Sequence, residues 1–260
     1  MRMLRVTACE LHDEPELFEE DWKALGEHVR RERSQLVVLP EMPFGVWCAV
    51  SDRFDPATWD EAVRAHEHWL TRLPDLSPAT VVSSRPVTLD GRRLNEAFAW
   101  SAAEGFRPLH YKRFLPDEVG YWEAEWYEPG DEAFDVAEVA SAAVGVLICT
   151  EMWSMGHAQR YGKAGAEIIV TPRATGRPTV EKWVTGGRVS AIVSGAFSVS
   201  SNRAAAPEGG DFGGGGWIIN PDGMVLALTT ASEPFVTDEL DLDLATDAKR
   251  TYPRYAINRM

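Results

Sequence analysis

The sequence predicts an α/β protein in which strands and helices form layers around a mixed sheet. Short apolar and β-branched runs alternate along the chain with longer stretches that carry apolar residues at helical spacing. Near the end, two strand-like runs are joined by a Pro221-Asp222-Gly223 turn, which is typical of a hairpin. A hairpin pairs antiparallel strands, so we expect the sheet to be mixed rather than purely parallel.

The predicted strands are short and end near proline, glycine or polar residues. In chain order they cover residues 4–9, 35–40, 79–87, 95–102, 144–149, 167–173, 196–202, 216–220 and 225–230. Apolar residues at helical spacing predict helices over residues 15–32, 56–73, 157–166 and 181–193. The tail, 245–260, has no clear core pattern, and we expect it to lie across the surface or on a partner subunit.

Length and charge limit what the protein does. The chain has 260 residues, of which 45% are hydrophobic and 25% charged, and residues 1–260 are expected to form one domain. The net charge is −14 and the pI is about 4.9. A nucleic-acid-binding protein needs a basic face, so this charge argues against nucleic acid and against an anionic membrane surface as partners.

The cysteines and the N-terminus favour a cytoplasmic protein. Residues 1–16 show no secretory signal, and no uncharged apolar run has the ~18–20 residues that a membrane span needs. The three cysteines, Cys9, Cys48 and Cys149, have no CxxC spacing, so we expect neither a disulfide framework nor a metal site. Sparse, reduced thiols are typical of the cytoplasm.

Three reactive side chains follow apolar runs. QLVVLPE ends in Glu41, FRPLHYK ends in Lys112 and VGVLIC ends in Cys149. In α/β folds the ends of neighbouring strands meet at one crevice, where ligands usually bind. Each residue also has an ordinary interpretation: Cys149 as a buried structural thiol, Glu41 as a solvated carboxylate and Lys112 as a surface charge.

Taken together, the three residues suit one chemistry. A cysteine attacks an electrophilic carbon, a carboxylate takes and returns the proton, and an ammonium stabilises the oxyanion. Cys149 at a sharp strand-to-helix elbow would present its thiolate to the N-terminus of the next helix. This chemistry requires no histidine, no metal and no organic cofactor.

At these residues the sequence resembles the nitrilase, or carbon–nitrogen hydrolase, superfamily. The blocks LVVLPEMPFGVW, YKRFLPDE and VGVLICTEMWSMGHAQRYGKAGAEIIVTPRAT contain the family's Glu, Lys and Cys in the family's order. SSNRAAA and FGGGGWIINPDG are similar to later family segments. The resemblance covers essentially the whole chain and implies an αββα four-layer sandwich that assembles into a homodimer or a larger homo-oligomer.

The resemblance also implies further roles. Glu123, in YWEAEWYEPGD, matches a second active-site glutamate that orients the substrate and the lysine. Lys112 and the backbone N–H of Thr150 would form the oxyanion site. The implied substrate is a small amide, N-carbamoyl compound or nitrile, hydrolysed through a cysteine thioester without a cofactor. The alternative for Glu123 is a solvated loop, which its aromatic neighbours make less attractive.

Several residues near these blocks are candidates for substrate binding. Arg173, after the next strand, suits a substrate carboxylate, or equally a structural ion pair with the acidic surface. Six glycines between Glu208 and Gly216 suggest a mobile gate at Gly209–Gly216. Aromatic residues that follow the catalytic blocks are predicted to line the pocket, with the core as their alternative location: Phe44, Trp47, Trp122, Trp126 and Trp153.

The substrate is left open by the sequence. An amidase or N-carbamoyl amidohydrolase is the main interpretation, and a nitrilase acting on C≡N is the first alternative. An acyl transferase, in which an amine intercepts the thioester, uses the same residues. An inactive binding or scaffold protein on the same fold is the alternative from another class.

Overall fold

The computed structural model describes residues 2–204 and 212–257. Its strands are β1 Met3–Leu11, β2 Leu36–Val38, β3 Thr80–Leu89, β4 Arg92–Ser101, β5 Gly105–Tyr111, β6 Ala137–Val139, β7 Ala142–Val146, β8 Ile168–Pro172, β9 Phe197–Arg203, β10 Trp217–Ile219, β11 Val225–Leu228 and β12 Phe235–Asp241. Its helices are α1 Pro15–Glu32, α2 Pro56–Leu70, α3 Glu123–Trp126, α4 Met155–Lys163, α5 Val180–Ser194, α6 Leu242–Ala248 and α7 Arg254–Ile257. Within the described ranges, no helix combines the length and the apolar character that crossing a bilayer requires.

The strands form two mixed sheets that are joined where the ends of β1 and β9 pair. The first sheet has the order β12-β1-β2-β3-β4-β5, and the second has the order β6-β7-β8-β9-β10-β11. Parallel pairs occupy the middle of each sheet, and antiparallel pairs lie at its edges. Two parallel residue pairs between β1 and β9, Glu10 with Asn202 and Leu11 with Arg203, connect the sheets.

Alternating side chains of β2 define the layers. Leu36 and Val38 point into the apolar core between the two sheets, together with residues of β7, β8 and β9. Val37 and Leu39 point the other way, into a second apolar cluster beneath α1. Because α4 packs on the outer face of the second sheet, the order of layers is helix, sheet, sheet, helix, which confirms the predicted sandwich.

Local sequence explains where the first two helices begin and end. Helix α1 spans the predicted residues and ends at Arg33, which has a left-handed backbone with φ 55°. Helix α2 begins after Asp55, whose side chain accepts the Thr58 N–H at 3.0 Å. It ends at Leu70 rather than at residue 73, because Pro74 has no N–H to donate to the Leu70 carbonyl.

Helices α4 and α5 pack closely on the outer face of the second sheet. At Gly162, an added Cβ would lie 2.2 Å from the Ser194 carbonyl oxygen, so only glycine permits this approach. The sequence predicted α4 at 157–166, but the helix begins two residues earlier, at Met155, and ends at Lys163. Helix α5 matches its predicted range to within one residue at each end.

Some elements differ from the sequence prediction. Strand β7 ends at Val146 instead of reaching Cys149, because the Ile148 N–H is taken by the Glu151 carboxylate at 2.8 Å. The sequence pattern missed β5, β6, β12 and α3. Strand β12 pairs antiparallel along its full length with residues 3–9 of β1 although it contains the acidic sequence DELD, because an edge strand can direct polar side chains to solvent.

Two further predictions concern the C-terminal tail and the glycine-rich segment. The tail forms α6 and α7. Arg254 is buried, and it donates to the Ala248 carbonyl of α6 at 2.9 Å and to the Ile192 carbonyl of α5 at 3.4 Å. The proposed gate at Gly209–Gly216 lies partly outside the described residues. In its described part, the Gly215 N–H donates to Glu10 Oε1 at 2.7 Å and the Gly214 carbonyl accepts from Asn202 at 2.7 Å.

Candidate active site

The ends of strands from both sheets bring four functional side chains together. Glu41 follows β2, Lys112 follows β5 directly, Glu123 begins α3 and Cys149 follows β7. All four are buried, with exposed fractions between 0 and 3%. The three residues that the sequence predicted to meet, and the Glu123 that the resemblance added, therefore occupy one place in the fold.

Lys112 lies between two carboxylates. Its Nζ donates to Glu41 Oε1 at 2.7 Å and to Glu123 Oε2 at 2.6 Å. Burial lowers the pKa of Lys112, but the charges of Glu123 and Glu41 outweigh burial and raise this pKa above its usual value. Lys112 therefore remains an ammonium ion that is fixed in position by two charge-assisted hydrogen bonds.

Glu41 has one occupied and one open carboxylate oxygen. Its Oε1 accepts from Lys112 and, at 2.8 Å, from Asn95 Nδ2. Its Oε2 is buried and has no hydrogen-bond partner among residues 2–204 and 212–257. A buried carboxylate oxygen without a donor is costly, and this oxygen is available to accept a proton from a neighbouring group.

Glu123 is held by Lys112 and by the hydroxyl of Tyr127, which donates to Oε2. Burial, supported by the charge of Glu41 and opposed by Lys112, raises the pKa of Glu123 to about 7. Two carboxylates thus share one ammonium in a buried position, which favours a proton on Glu123 near neutral pH.

Cys149 occupies a strained backbone position. Its φ is +48°, which is uncommon for a residue with a side chain, and a short 3₁₀ turn, Cys149–Trp153, follows. The sequence predicted a direct strand-to-helix elbow, whereas α4 begins only after this turn. Burial first, and then Glu41, raise the pKa of the Cys149 thiol, while Lys112 and a hydrogen bond from the Ala174 backbone lower it. The resting sulfur is therefore a thiol.

A buried pair that sequence reasoning missed connects the lysine to the nucleophile. Glu151 Oε2 accepts the Ile148 N–H at 2.8 Å, and Oε1 accepts the Arg113 N–H at 2.7 Å. Both oxygens lie 2.9 Å from His110 Nε2. The available signal in the sequence was an acidic residue two positions after the apolar run that ends at Cys149; its complete burial is visible only in the structure.

A cavity of about 530 Å³ opens beside Cys149. Glu123, Thr150 and Trp153 line it, as does Trp183 of α5, which the sequence did not single out. The cavity is not lined by the other four aromatic candidates, Phe44, Trp47, Trp122 and Trp126.

Those four aromatic side chains belong to apolar clusters instead. Phe44 is fully buried against the ring of His66 and stacks on Trp69. Trp47 and Trp126 donate their indole N–H groups to the carbonyls of Gly120 and Ser51, and Trp122 packs beside them. They lie close to the candidate catalytic residues in sequence, but their rings pack inside the protein and do not line the cavity beside Cys149.

Arg173 is placed behind the cavity and not in it. Its three guanidinium nitrogens donate to Ser200 Oγ, Thr175 Oγ1 and the Gly215 carbonyl at 2.7, 2.9 and 2.7 Å. The guanidinium is fully buried and forms no salt bridge within residues 2–204 and 212–257. Both sequence interpretations, a fork for a substrate carboxylate and a surface ion pair, are therefore wrong.

The described residues contain no cluster of three or more histidine, cysteine, aspartate or glutamate side chains able to hold a metal ion. The arrangement beside the cavity instead combines a thiol, a carboxylate with an open oxygen and a fixed ammonium. Such a set can transfer a proton from sulfur to carboxylate and stabilise negative charge on an attacked carbonyl oxygen.

Comparisons with known proteins agree with this geometry. An N-carbamoylputrescine amidase of Arabidopsis thaliana is 28% identical over 162 residues, which cover 55% of this chain and 54% of that protein. The chain spans about half the length, or less, of the first curated relatives that it matches.

Two solved structures share the fold. A carbon-nitrogen hydrolase from Helicobacter pylori G27 has a TM-score of 0.86 at 21% identity and covers 98% of this chain and 95% of its own. A mutant amidase from Nesterenkonia sp. AN1, with the acetamide moiety of fluoroacetamide attached to its active-site cysteine, has a TM-score of 0.74 at 16% identity, covering 98% and 95%. The family model described as carbon-nitrogen hydrolase matches residues 8–250. This protein belongs to the carbon–nitrogen hydrolase family.

Proposed function

We propose that the protein hydrolyses the C–N bond of a small amide or N-carbamoyl compound through a thioester on Cys149. The observation that carries this proposal is the open Oε2 of Glu41, beside a Lys112 ammonium that both carboxylates hold in place. The names of relatives that act on carbamoyl and amide compounds point to the same substrates.

In the first half of the reaction, Glu41 Oε2 takes the proton of Cys149 as Sγ attacks the carbonyl carbon. The C–S bond forms and the carbonyl oxygen becomes negative, stabilised by Lys112 Nζ and the Thr150 N–H, each donor contributing about 3 kcal/mol. Glu41 then gives its proton to the nitrogen. The C–N bond breaks and ammonia or an amine leaves, while the acyl group remains as a thioester.

In the second half, a water molecule attacks the thioester carbon and Glu41 takes one of its protons. Collapse of this intermediate breaks the C–S bond and releases the acid, and the proton on Glu41 returns to the sulfur. Because burial raises the pKa of the Cys149 thiol, its deprotonation must be concerted with attack. Glu123 holds Lys112, or the substrate nitrogen, in position throughout.

Ammonia release from a panel of primary amides and N-carbamoyl compounds tests the proposal. We expect turnover by the wild type and by Cys48→Ala, a matched control in a second buried cysteine. Cys149→Ala should lose turnover by a factor of about 10⁴ or more while keeping its melting temperature. Near wild-type turnover by Cys149→Ala would remove the thioester from the mechanism.

Two further measurements separate the remaining reactions. Faster turnover of a nitrile than of its matching amide would favour a nitrilase. Hydroxamate formed in the presence of hydroxylamine would reveal an acyl-enzyme that amines can intercept, as in a transferase. A protein that releases no ammonia and does not react with iodoacetamide at Cys149 would be an inactive binding protein.

We also propose that the protein is a cytoplasmic homodimer. All three cysteines are free thiols, which suits a reducing compartment. Large apolar side chains are exposed on α5, on β11 and near α7, namely Val189, Leu226, Leu228, Tyr252 and Tyr255. Light scattering coupled to gel filtration should give twice the mass of the 28.9 kDa chain, and a monomer would overturn this part of the proposal.

A further inference from the structure

Two tryptophans form an aromatic wall in the cavity beside Cys149. The ring centroids of Trp153 and Trp183 are 4.9 Å apart, with 50° between the ring planes. Trp183 is buried, whereas Trp153 is 45% exposed. Trp153 comes four residues after Cys149 in the same short turn, so its ring is placed close to the reacting sulfur.

Both rings are held in place by protein groups that pack against them on the side away from the cavity. At Gly186, an added Cβ would lie 3.0 Å from an atom of the Trp153 ring and closer still to Met152, so helix α5 supports this side of the wall directly. The guanidinium carbon of Arg173 lies 5.6 Å from the centroid of Trp183. An exposed indole that is supported in this way offers a preformed flat surface, which lowers the entropic cost of binding a flat partner.

The charges around the wall are few and lie away from its centre. Glu123 is the only buried charged side chain among the cavity-lining residues that the structure describes, and Lys112 compensates its charge. Glu118 and Lys182 line the cavity from exposed positions, and neither forms a salt bridge within residues 2–204 and 212–257. Pro116, Pro178 and Ala174 complete an apolar lining next to the sulfur.

We propose that the substrates of Cys149 are primary amides whose acyl group carries a flat, uncharged aromatic ring, with that ring packed on Trp153 and Trp183. This inference rests on the proposed function and adds the class of acyl group. A charged acyl group packed on the two indoles would lose its hydration there, whereas an aromatic ring gains both apolar burial and a ring contact.

The test measures binding separately from chemistry. Calorimetry on Cys149→Ala compares phenylacetamide with propionamide, which has the same amide but no ring. We expect phenylacetamide to bind about tenfold more tightly or better, because a buried ring adds apolar area and an aromatic contact. Adding Trp153→Ala should remove this preference, and adding Trp153→Phe should retain most of it.

Leu244→Ala, in the same Cys149→Ala background, is the control, because Leu244 is an exposed apolar residue of α6 that does not line the cavity. It should leave the preference unchanged. Equal binding of the two amides, or a preference that survives Trp153→Ala, overturns the inference. Trp153 is half exposed, so its variants should fold. If Trp153→Ala did not, Trp153→Leu, which removes the ring but keeps an apolar side chain, should lower the preference, and an unchanged preference would overturn the inference.

Failure of the proposed function would look different. If the wild type released no ammonia from any amide while Cys149→Ala still preferred phenylacetamide, the hydrolase proposal would fall and the aromatic site would stand. If the wild type hydrolysed propionamide but Cys149→Ala showed no aromatic preference, the hydrolase proposal would stand and the aromatic site would fall.

Discussion

Glu151 and His110 form a buried pair in which both carboxylate oxygens lie 2.9 Å from the ring Nε2. Burial lowers the pKa of His110, but the hydrogen bond and the charge of Glu151 outweigh it and raise this pKa. His110 is two residues before Lys112, and Glu151 is two residues after Cys149. The pair therefore fixes the strand that carries the ammonium against the turn that carries the thiol.

Glu151→Gln should lower kcat by about tenfold or more with little change in KM. The amide would direct an NH₂ group at backbone N–H donors that now meet a carboxylate, at a cost of about 1–3 kcal/mol. The displaced turn would move Cys149 relative to Lys112. Steady-state kinetics checks this, with Glu125→Gln, an exposed neighbour of Glu123, as the control; equal kcat values for both variants would contradict it.

Lys112→Met should abolish turnover and destabilise the fold. It leaves Glu41 and Glu123 buried without their shared cation, and breaking a buried ion pair costs about 3–5 kcal/mol. The double variant Lys112→Met/Glu123→Gln removes one of the two carboxylates, so it should regain part of the stability but none of the activity. Urea denaturation measures the stability of both variants. A double variant that is no more stable than Lys112→Met would contradict the view that one ammonium neutralises these two carboxylates.

Because of Glu123, we expect the free energy of unfolding of the protein to depend on pH. Its pKa is about 7 in the folded protein, against 4.5 for the ordinary group. Because the folded carboxyl binds its proton more tightly than the unfolded one, its contribution is fully present below pH 4.5 and is lost as the pH rises to about 7. The free energy of unfolding of the wild type, relative to Glu123→Gln, should therefore fall across this window.

The expected fall is on the order of 3 kcal/mol, which corresponds to the size of the pKa shift. Chemical denaturation at several pH values between 4.5 and 7 measures it. Glu125→Gln is exposed and should follow the wild-type curve. Parallel curves for the wild type and Glu123→Gln would show that Glu123 is ionised throughout this range.

We expect Arg173 to influence the pKa of the Cys149 thiol although its side chain does not line the cavity. Burial lowers the pKa of Arg173 to about 9, while interaction with Cys149 raises it. Because that interaction is mutual, removing the cation should raise the pKa of the Cys149 thiol further. Arg173→Met should move the pH profile of Cys149 alkylation by iodoacetamide upward by about one unit, and Arg173→Lys should restore it. Superimposable profiles for the wild type and Arg173→Met would mean that the guanidinium serves packing alone.

Two glycines of α4 give opposite predictions for the same substitution. Gly162→Ala places a methyl group 2.2 Å from the Ser194 carbonyl oxygen, which should cost about 1–3 kcal/mol. Gly156→Ala meets nothing within 4 Å and should stabilise the helix by up to about 1 kcal/mol. Thermal melting of both variants checks the α4–α5 contact, and a Gly162→Ala variant as stable as Gly156→Ala would contradict it.

Much of the site was predictable because strand ends in this fold class carry function. Glu41, Lys112 and Cys149 each follow an apolar run, and the topology brings these strand ends together. Trp183 was not predictable in this way. It lies 34 residues after Cys149 on a helix. Its ring faces the cavity only because α5 packs against the short turn that begins at Cys149.

Arg173 illustrates a second limit of the sequence. Arginine after a strand suggests recognition of a carboxylate, but here a serine, a threonine and a glycine carbonyl from distant segments bind all three nitrogens. Because these acceptors are uncharged, the sequence contains no acidic residue that could be recognised as the partner of Arg173. Strand β12 was missed for a related reason, since its acidic side chains concealed a strand that is paired along its full length with β1.

The candidate base and ammonium lie at strand ends of the first sheet, and the thiol lies at a strand end of the second. During synthesis the ribosome therefore releases Glu41 and Lys112 well before Cys149, and the thiol meets these two residues only when the two sheets have docked. An incomplete or partly unfolded chain carries only an ordinary thiol. A thiol reagent alone therefore reacts with unfolded chains as well, whereas turnover at Cys149 would count only the molecules in which the two sheets have docked.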